Sequence, residues 1–233
     1  MDEFRKLSRR EASAAVTELG WRYVLGEFRT EVLTGSLPLA ADVAARAAAE
    51  PGADGHLRMD VRSDRVIFAL QTPAVAWVTG EDIALAQRIT AVAEEFRLTT
   101  TPGGGFGRRS VQGLEIGIDA MDAAAIRPFW KAVLGYVDEH NISGPTGALI
   151  DPLGEGPSIW FQQMDAPRPQ RNRIHLDVSV AHDEAEARIR ATLAAGGRLT
   201  YDAEAPAFWV FADAEGNEAC ITTWQGRDAP EAD

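Results

Sequence analysis

The stretch RIHLDVSVAHDEAEARIRATLAAGG (173–197) decides the fold, because GLEIGIDAMDAAAIRPFWKAVLG (113–135) runs through the same events 60 residues earlier. Each begins with alternating apolar and polar residues, passes a short acidic turn, continues with helical spacing and stops at glycine. In the later copy Ile174, Leu176, Val178 and Val180 fall on one face of a strand, and Arg173, His175, Asp177 and Ser179 on the other. Short strands follow each helix: YVDEH, GALID and SIWFQQM in the first copy, RLTYD, FWVFA and EACITTW in the second. A βαβββ unit present twice predicts two similar halves that complete one sheet or barrel around a shared cavity.

Strand parity then sorts the side chains. With helices over the apolar faces, Leu114, Ile116, Ile118, Ile159, Phe161, Ala219 and Ile221 are expected beneath them. Glu115, Asp119, Trp160, Gln162, Met164, His175, Glu218, Cys220 and Thr222 are expected in the cup. Glu115 and His175 occupy equivalent positions in the two copies. Trp130, Trp160, Trp209 and Trp224 can wall a pocket for a flat organic ligand, or serve as core. His140 and His182 lie in turn-like contexts.

Upstream, Ser8 and Glu11 form a capping box that starts a helix, stopped by Gly20. WRYVL and EFRTEVL read as strands reversing at Gly26. LPLAADVAARAAAE reads as a helix ended by Pro51 and Gly52, and HLRMDVR and RVIFAL as strands turning at Ser63 and Asp64. Thr79 and Asp82 cap a last helix with Ile83, Leu85, Ile89 and Val92 along its stripe. The expected fold is α+β in two domains, an αββαββα antiparallel sheet with helices on one face and then the duplicated βαβββ domain. Expected boundaries are 1–98, a Gly-rich linker at 99–112, 113–225 and a tail at 226–233. GGGFG in the linker fails as a phosphate loop, because AVAEEFRL before it is helical and GLEIGIDA after it is a strand.

With 233 residues, 45% of them hydrophobic, the chain can fill two cores. A net charge of -12 argues against nucleic acid, whose phosphates require a basic surplus. MDEFRKLSRREAS has no apolar run behind its basic residues, so neither a secretory signal nor a membrane span is expected, and the cytoplasm is the expected compartment. The single cysteine, Cys220, permits no intrachain disulfide and no CxxC-type zinc site.

Residues 5–98 resemble pterin-4a-carbinolamine dehydratase through Trp21, Glu50, DRVIFALQT (64–72) and VTGEDIALAQRI (78–89). Residues 111–225 resemble the glyoxalase and bleomycin-resistance group, the vicinal oxygen chelate superfamily. Leu134 and Gly135, NRIHLDV (172–178) and DAEGNEACI (213–221) carry that likeness. The first resemblance implies dehydration of 4a-hydroxytetrahydrobiopterin, a lyase reaction that needs an acid for the leaving hydroxyl and a base for the ring N–H. Of the three histidines the family uses, His56 stands alone, with Gly55 and Pro73 at the other positions. His56 then reads as a residual acid/base, a hydrogen-bonding contact to a pterin-like ring, or an inert surface histidine. Arg58 and Asp60 share its face and read as ligand-binding substitutes or as a solvated charged face.

The second resemblance places the family's metal positions on Glu115, Gln162, His175 and Cys220. A divalent metal there would be octahedral with open water positions. Cys220 stands where the usual ligand is glutamate, and its thiolate would favour zinc or iron, whereas a neutral thiol would pack as a small hydrophobe. Without metal, His175 is a hydrogen-bonded cup histidine. The function expected from both resemblances is a dehydratase-like protein with a glyoxalase-like domain that binds a small molecule, with Trp160 and Trp209 as aromatic contacts. The alternatives are a non-catalytic sequestering protein of bleomycin-resistance type and a metal-dependent lyase or isomerase. Both families commonly dimerise, which implies a homodimer.

Overall fold

The computed structural model describes residues 5–103, 110–139, 144, 147–167, 174–223 and 225–226. It divides into two compact units, Met1–Gly113 and Leu114–Asp233. No helix among the described residues is long and apolar enough to cross a membrane.

In the N-terminal unit the order is α1 (Arg9–Val16), β1 (Arg22–Val24), β2 (Glu27–Leu33), α2 (Leu37–Ala48), β3 (Leu57–Val61), β4 (Arg65–Leu70), α3 (Gly80–Glu95) and β5 (Thr100–Thr101). Both expected capping boxes form. The Ser8 side chain accepts from Glu11 N–H while Glu11 accepts from Ser8 N–H, and Thr79 and Asp82 do the same for α3. Leu25 and Gly26 both take positive φ, 48° and 79°, which is the twist that a two-residue hairpin between β1 and β2 needs. The strand order is β1-β2-β4-β3, with every pair antiparallel. The ladder puts Phe28, Thr30 and Val32 opposite Leu70, Phe68 and Val66, and all six are fully buried beneath the helices.

The expected linker at 99–112 starts too early. Thr100 and Thr101 form β5, pairing with Val32 and Glu31 beyond the end of β1. The Thr100 hydroxyl donates to the Leu19 carbonyl at 2.6 Å, and Thr30 donates to the Thr101 carbonyl at 3.1 Å. Gly20 permits this approach: a Cβ there would stand 2.2 Å from the Thr100 oxygen. Gly104–Arg109 of the expected linker lie outside the described residues.

The C-terminal unit runs β6 (Glu115–Ala120), α4 (Ala123–Leu134), β7 (Val137–Asp138), β8 (Leu149–Ile150), β9 (Ser158–Gln163), β10 (Leu176–Ser179), α5 (Ala185–Ala194), β11 (Arg198–Tyr201), β12 (Phe208–Ala212) and β13 (Glu218–Thr222). The duplication is explicit in the pairing. One sheet is β6-β9-β8-β7 and the other β10-β13-β12-β11, with β6 parallel to β9 and β10 parallel to β13. Ile118, Ile126, Phe129 and Ile159 from the first copy share one apolar cluster with Phe211, Ala219 and Ile221 from the second. The molecule is α+β in two sheet-rich regions, as its sequence pattern predicts.

Candidate functional site

In the C-terminal unit, β6 buries Ile118 and Ala120 and exposes Glu115, Gly117 and Asp119, while β9 buries Ile159 and exposes Trp160 and Gln162. Gly117 and Trp160 are register partners, and a Cβ at 117 would come within 3.0 Å of the indole. The Trp160 ring therefore lies against bare backbone, still 39% exposed. Glu115 accepts from the Ser158 hydroxyl at 3.1 Å, and the Gln162 amide donates to the Gln163 carbonyl at 3.3 Å.

On the second sheet, register places Asp177 opposite Cys220 and Ser179 opposite Thr222, whose hydroxyls meet at 2.8 Å. His175 Nε2 lies 3.4 Å from Asp177 Oδ1. One donor atom each from His175, Asp177 and Cys220 lie within 4.8 Å of one another, and among the described residues this is the one group of three such side chains close enough to share an ion. The ligand set expected from the sequence is thus gathered only in part. His175 and Cys220 come together, but Glu115 is not in the group and Asp177 is. Gln162 is on the first sheet in register with Asp119, four residues along from Ser158, the partner of Glu115. Asp177 was overlooked because parity gives a residue's face and not its neighbour across the ladder.

Trp209 also departs from expectation. It is in register with Ile221 and packs against the apolar cluster beneath the helices, so it is no wall of the cup. Phe208 and Val210 share the face of Cys220, and Tyr201, opposite Val210, stacks on Phe208 at 5.9 Å. Parity along FWVFA separates Phe208 and Val210 from Trp209 and Phe211, but the register with Cys220 is what shows which set shares the cysteine's face. Trp130 is buried and donates its indole N–H to Asp213 at 3.0 Å. Asp213 also accepts from the N–H groups of Glu215 and Asn217 and from the Asn217 amide. The DAEGNE segment is therefore a turn stapled to α4. His182 sits in the turn before α5, and His140 and Trp224 lie outside the described residues.

A cavity of 380 Å³ opens among these elements. Ile116, Ile118, Trp130 and Leu176 give it apolar walls, and Asp119, His175, Asn217 and Glu218 give it polar ones.

In the N-terminal unit, His56 precedes β3 and meets the start of α3. Its Nδ1 lies 2.9 Å from Asp82 Oδ1. Asp82 is fully buried, and its other oxygen accepts from Thr72 Oγ1 and Thr79 N–H, both at 2.7 Å. A carboxylate only accepts, so Nδ1 carries the hydrogen and Nε2 is the basic nitrogen. The His56 side chain is 20% exposed. Arg58 pairs with Glu27 at 3.1 Å and Asp60 with Arg62 at 2.5 Å, so both belong to ion pairs on the open face of the sheet. Pro73 opens a 3-10 turn, Pro73–Val75.

The sequence profile described as Glyoxalase-like domain matches residues 115–222. The C-terminal unit carries a glyoxalase-like domain. A glyoxalase/bleomycin resistance protein/dioxygenase family enzyme from Burkholderia phytofirmans PsJN is similar over 47% of this chain and 95% of its own, at 19% identity and a TM-score of 0.39. A mutant of the fosfomycin resistance protein FosX from Listeria monocytogenes, complexed with Mn(II) and a dihydroxypropylphosphonic acid, is similar over 48% of this chain and 90% of its own, at 13% identity and a TM-score of 0.37. A transcriptional coactivator/pterin dehydratase from Brucella melitensis is similar over 38% of this chain and 99% of its own, at 26% identity and a TM-score of 0.36. No curated protein matches the chain. The glyoxalase-like domain offers imidazole, carboxylate and thiol at one point. That donor set does not fit an oxygen-rich octahedral ion drawn from both copies.

Proposed function

We propose that the glyoxalase-like domain binds a small, flat organic molecule. The observation that carries the reading is the cavity of about 380 Å³ with apolar walls and four polar side chains, at Asp119, His175, Asn217 and Glu218. This volume falls in the range of about 300–1,000 Å³ usual for ligand sites, and apolar walls with few polar groups are their common lining. Two acidic side chains in that lining favour a ligand rich in N–H donors. A thermal-shift titration with flat heterocycles, pterins included, is expected to raise the unfolding temperature of the wild type. His175→Ala and Asp119→Asn are expected to weaken binding about tenfold each, or ~1.4 kcal/mol. Shifts absent from the wild type, or unchanged in both variants, would remove the reading.

A second reading is carried by the His56–Asp82 pair. In the dehydratase-like unit, Asp82 holds the imidazole so that Nε2 can take a proton from a pterin ring N–H and, once protonated, assist the departing 4a-hydroxyl. Thr72 and the α3 start fix Asp82 in turn. The measurement is conversion of 4a-hydroxytetrahydrobiopterin by wild type and His56→Ala. A loss of about 10²- to 10⁴-fold is expected for one acid/base group. No turnover by the wild type, or equal turnover by both, excludes the reading.

A further inference from the structure

We infer that His175, Asp177 and Cys220 form a zinc site built from the second βαβββ copy alone. His175 immediately precedes β10, Asp177 is the second residue of that strand, and Cys220 is the register partner of Asp177 on the parallel neighbour β13. Adjacent strands hold a fixed spacing of about 4.8 Å, so the backbone already sets the three side chains at ligand range. Zinc bonds of about 2.0–2.3 Å in a tetrahedron put ligand atoms roughly 3.3–3.8 Å apart. The donors here lie within 4.8 Å, and closing the difference takes rotation of His175 and Asp177, which are 53% and 60% exposed.

The donor chemistry selects the ion. One nitrogen, one carboxylate oxygen and one sulfur suit zinc, whereas manganese and magnesium favour oxygen. Three protein ligands leave a fourth position for water or for an oxygen or nitrogen of a bound molecule, the arrangement of reactive rather than structural zinc. Of the three ligands, only His175 also lines the cavity. Cys220 gives up its thiol proton to solvent on binding, so affinity rises with pH. Glu115, on the first sheet, has no part.

The test is titration of the reduced full-length chain with Co(II), then displacement by Zn(II), with no organic ligand present. Failure of the small-molecule reading would therefore leave this result standing, and the converse. The expected result is one equivalent of Co(II) with a sulfur-to-cobalt charge-transfer band and the visible bands of a four-coordinate ion. Cys220→Ser removes the charge-transfer band. Asp177→Asn and His175→Ala, both on exposed side chains, weaken binding by at least about tenfold, the lower end of what loss of even a supporting partner costs. Glu115→Gln binds as the wild type does, and circular dichroism shows each variant folded. Absence of stoichiometric binding by the wild type overturns the inference. So does a Co(II) complex without the sulfur band, or one lost in Glu115→Gln and retained in Asp177→Asn.

Discussion

Asp213 accepts four hydrogen bonds while only 3% exposed, tying the β12–β13 turn to the Trp130 indole. Asp213→Ala leaves a buried indole N–H and two turn amides without an acceptor. We expect a loss of about 2–4 kcal/mol in urea unfolding. Asp151 makes a second such case, with an acid dependence. Burial alone would raise its carboxyl, but the N–H groups of Gly156, Leu153 and Glu155 outweigh burial and hold it below the ordinary 3.8. Its stabilisation is thus complete above the unfolded value and disappears as pH falls through the lower, folded one. Asp151→Asn should flatten that part of the acid limb in a pH series of unfolding curves. At this scale the sequence was legible wherever parity sufficed, as for His175 and Cys220. Asp177 was legible as cup-facing but not as a neighbour of Cys220, because register depends on how β10 and β13 pair between residues 43 positions apart in the chain.

Among the elements, those with local signals were readable. S-x-x-E and T-x-x-D mark the starts of α1 and α3 because the box is formed by residues three apart. The β5 strand carries no such mark, since two threonines before a Gly-rich run have no periodicity to read. Its pairing is created by Gly20, φ 77°, and by the Thr100 side chain. Gly20→Ala forces a Cβ toward the Thr100 carbonyl and an alanine into left-handed space, the latter alone costing about 1–2 kcal/mol. Hydrogen exchange at Thr101 and Val32 should accelerate in that variant. Unchanged exchange there would mean that β5 is not held by this contact.

At the scale of the whole molecule, duplication was the most legible feature, because a 60-residue offset survives divergence of the individual side chains. The two apolar clusters share no residue: Trp21, Phe28 and Phe68 serve one, Phe129, Phe211 and Ile221 the other. Phe129→Ala is expected to cost about 3–5 kcal/mol, read by calorimetry as a lowered transition for the glyoxalase-like unit. What the pattern did not carry was division of labour between the copies. The first offers Trp160 against Gly117, the second gathers His175, Asp177 and Cys220.

The short pairing of Thr100 and Thr101 with β2 also bears on how the protein can be cut. A fragment cloned to stop at Leu98, where the helical pattern ends, would strip the cover from Val32 and Glu31 and leave an adhesive rim open to other chains. Fragments ending at Gly103 would keep that rim closed and should stay dispersed at concentrations where the shorter ones precipitate.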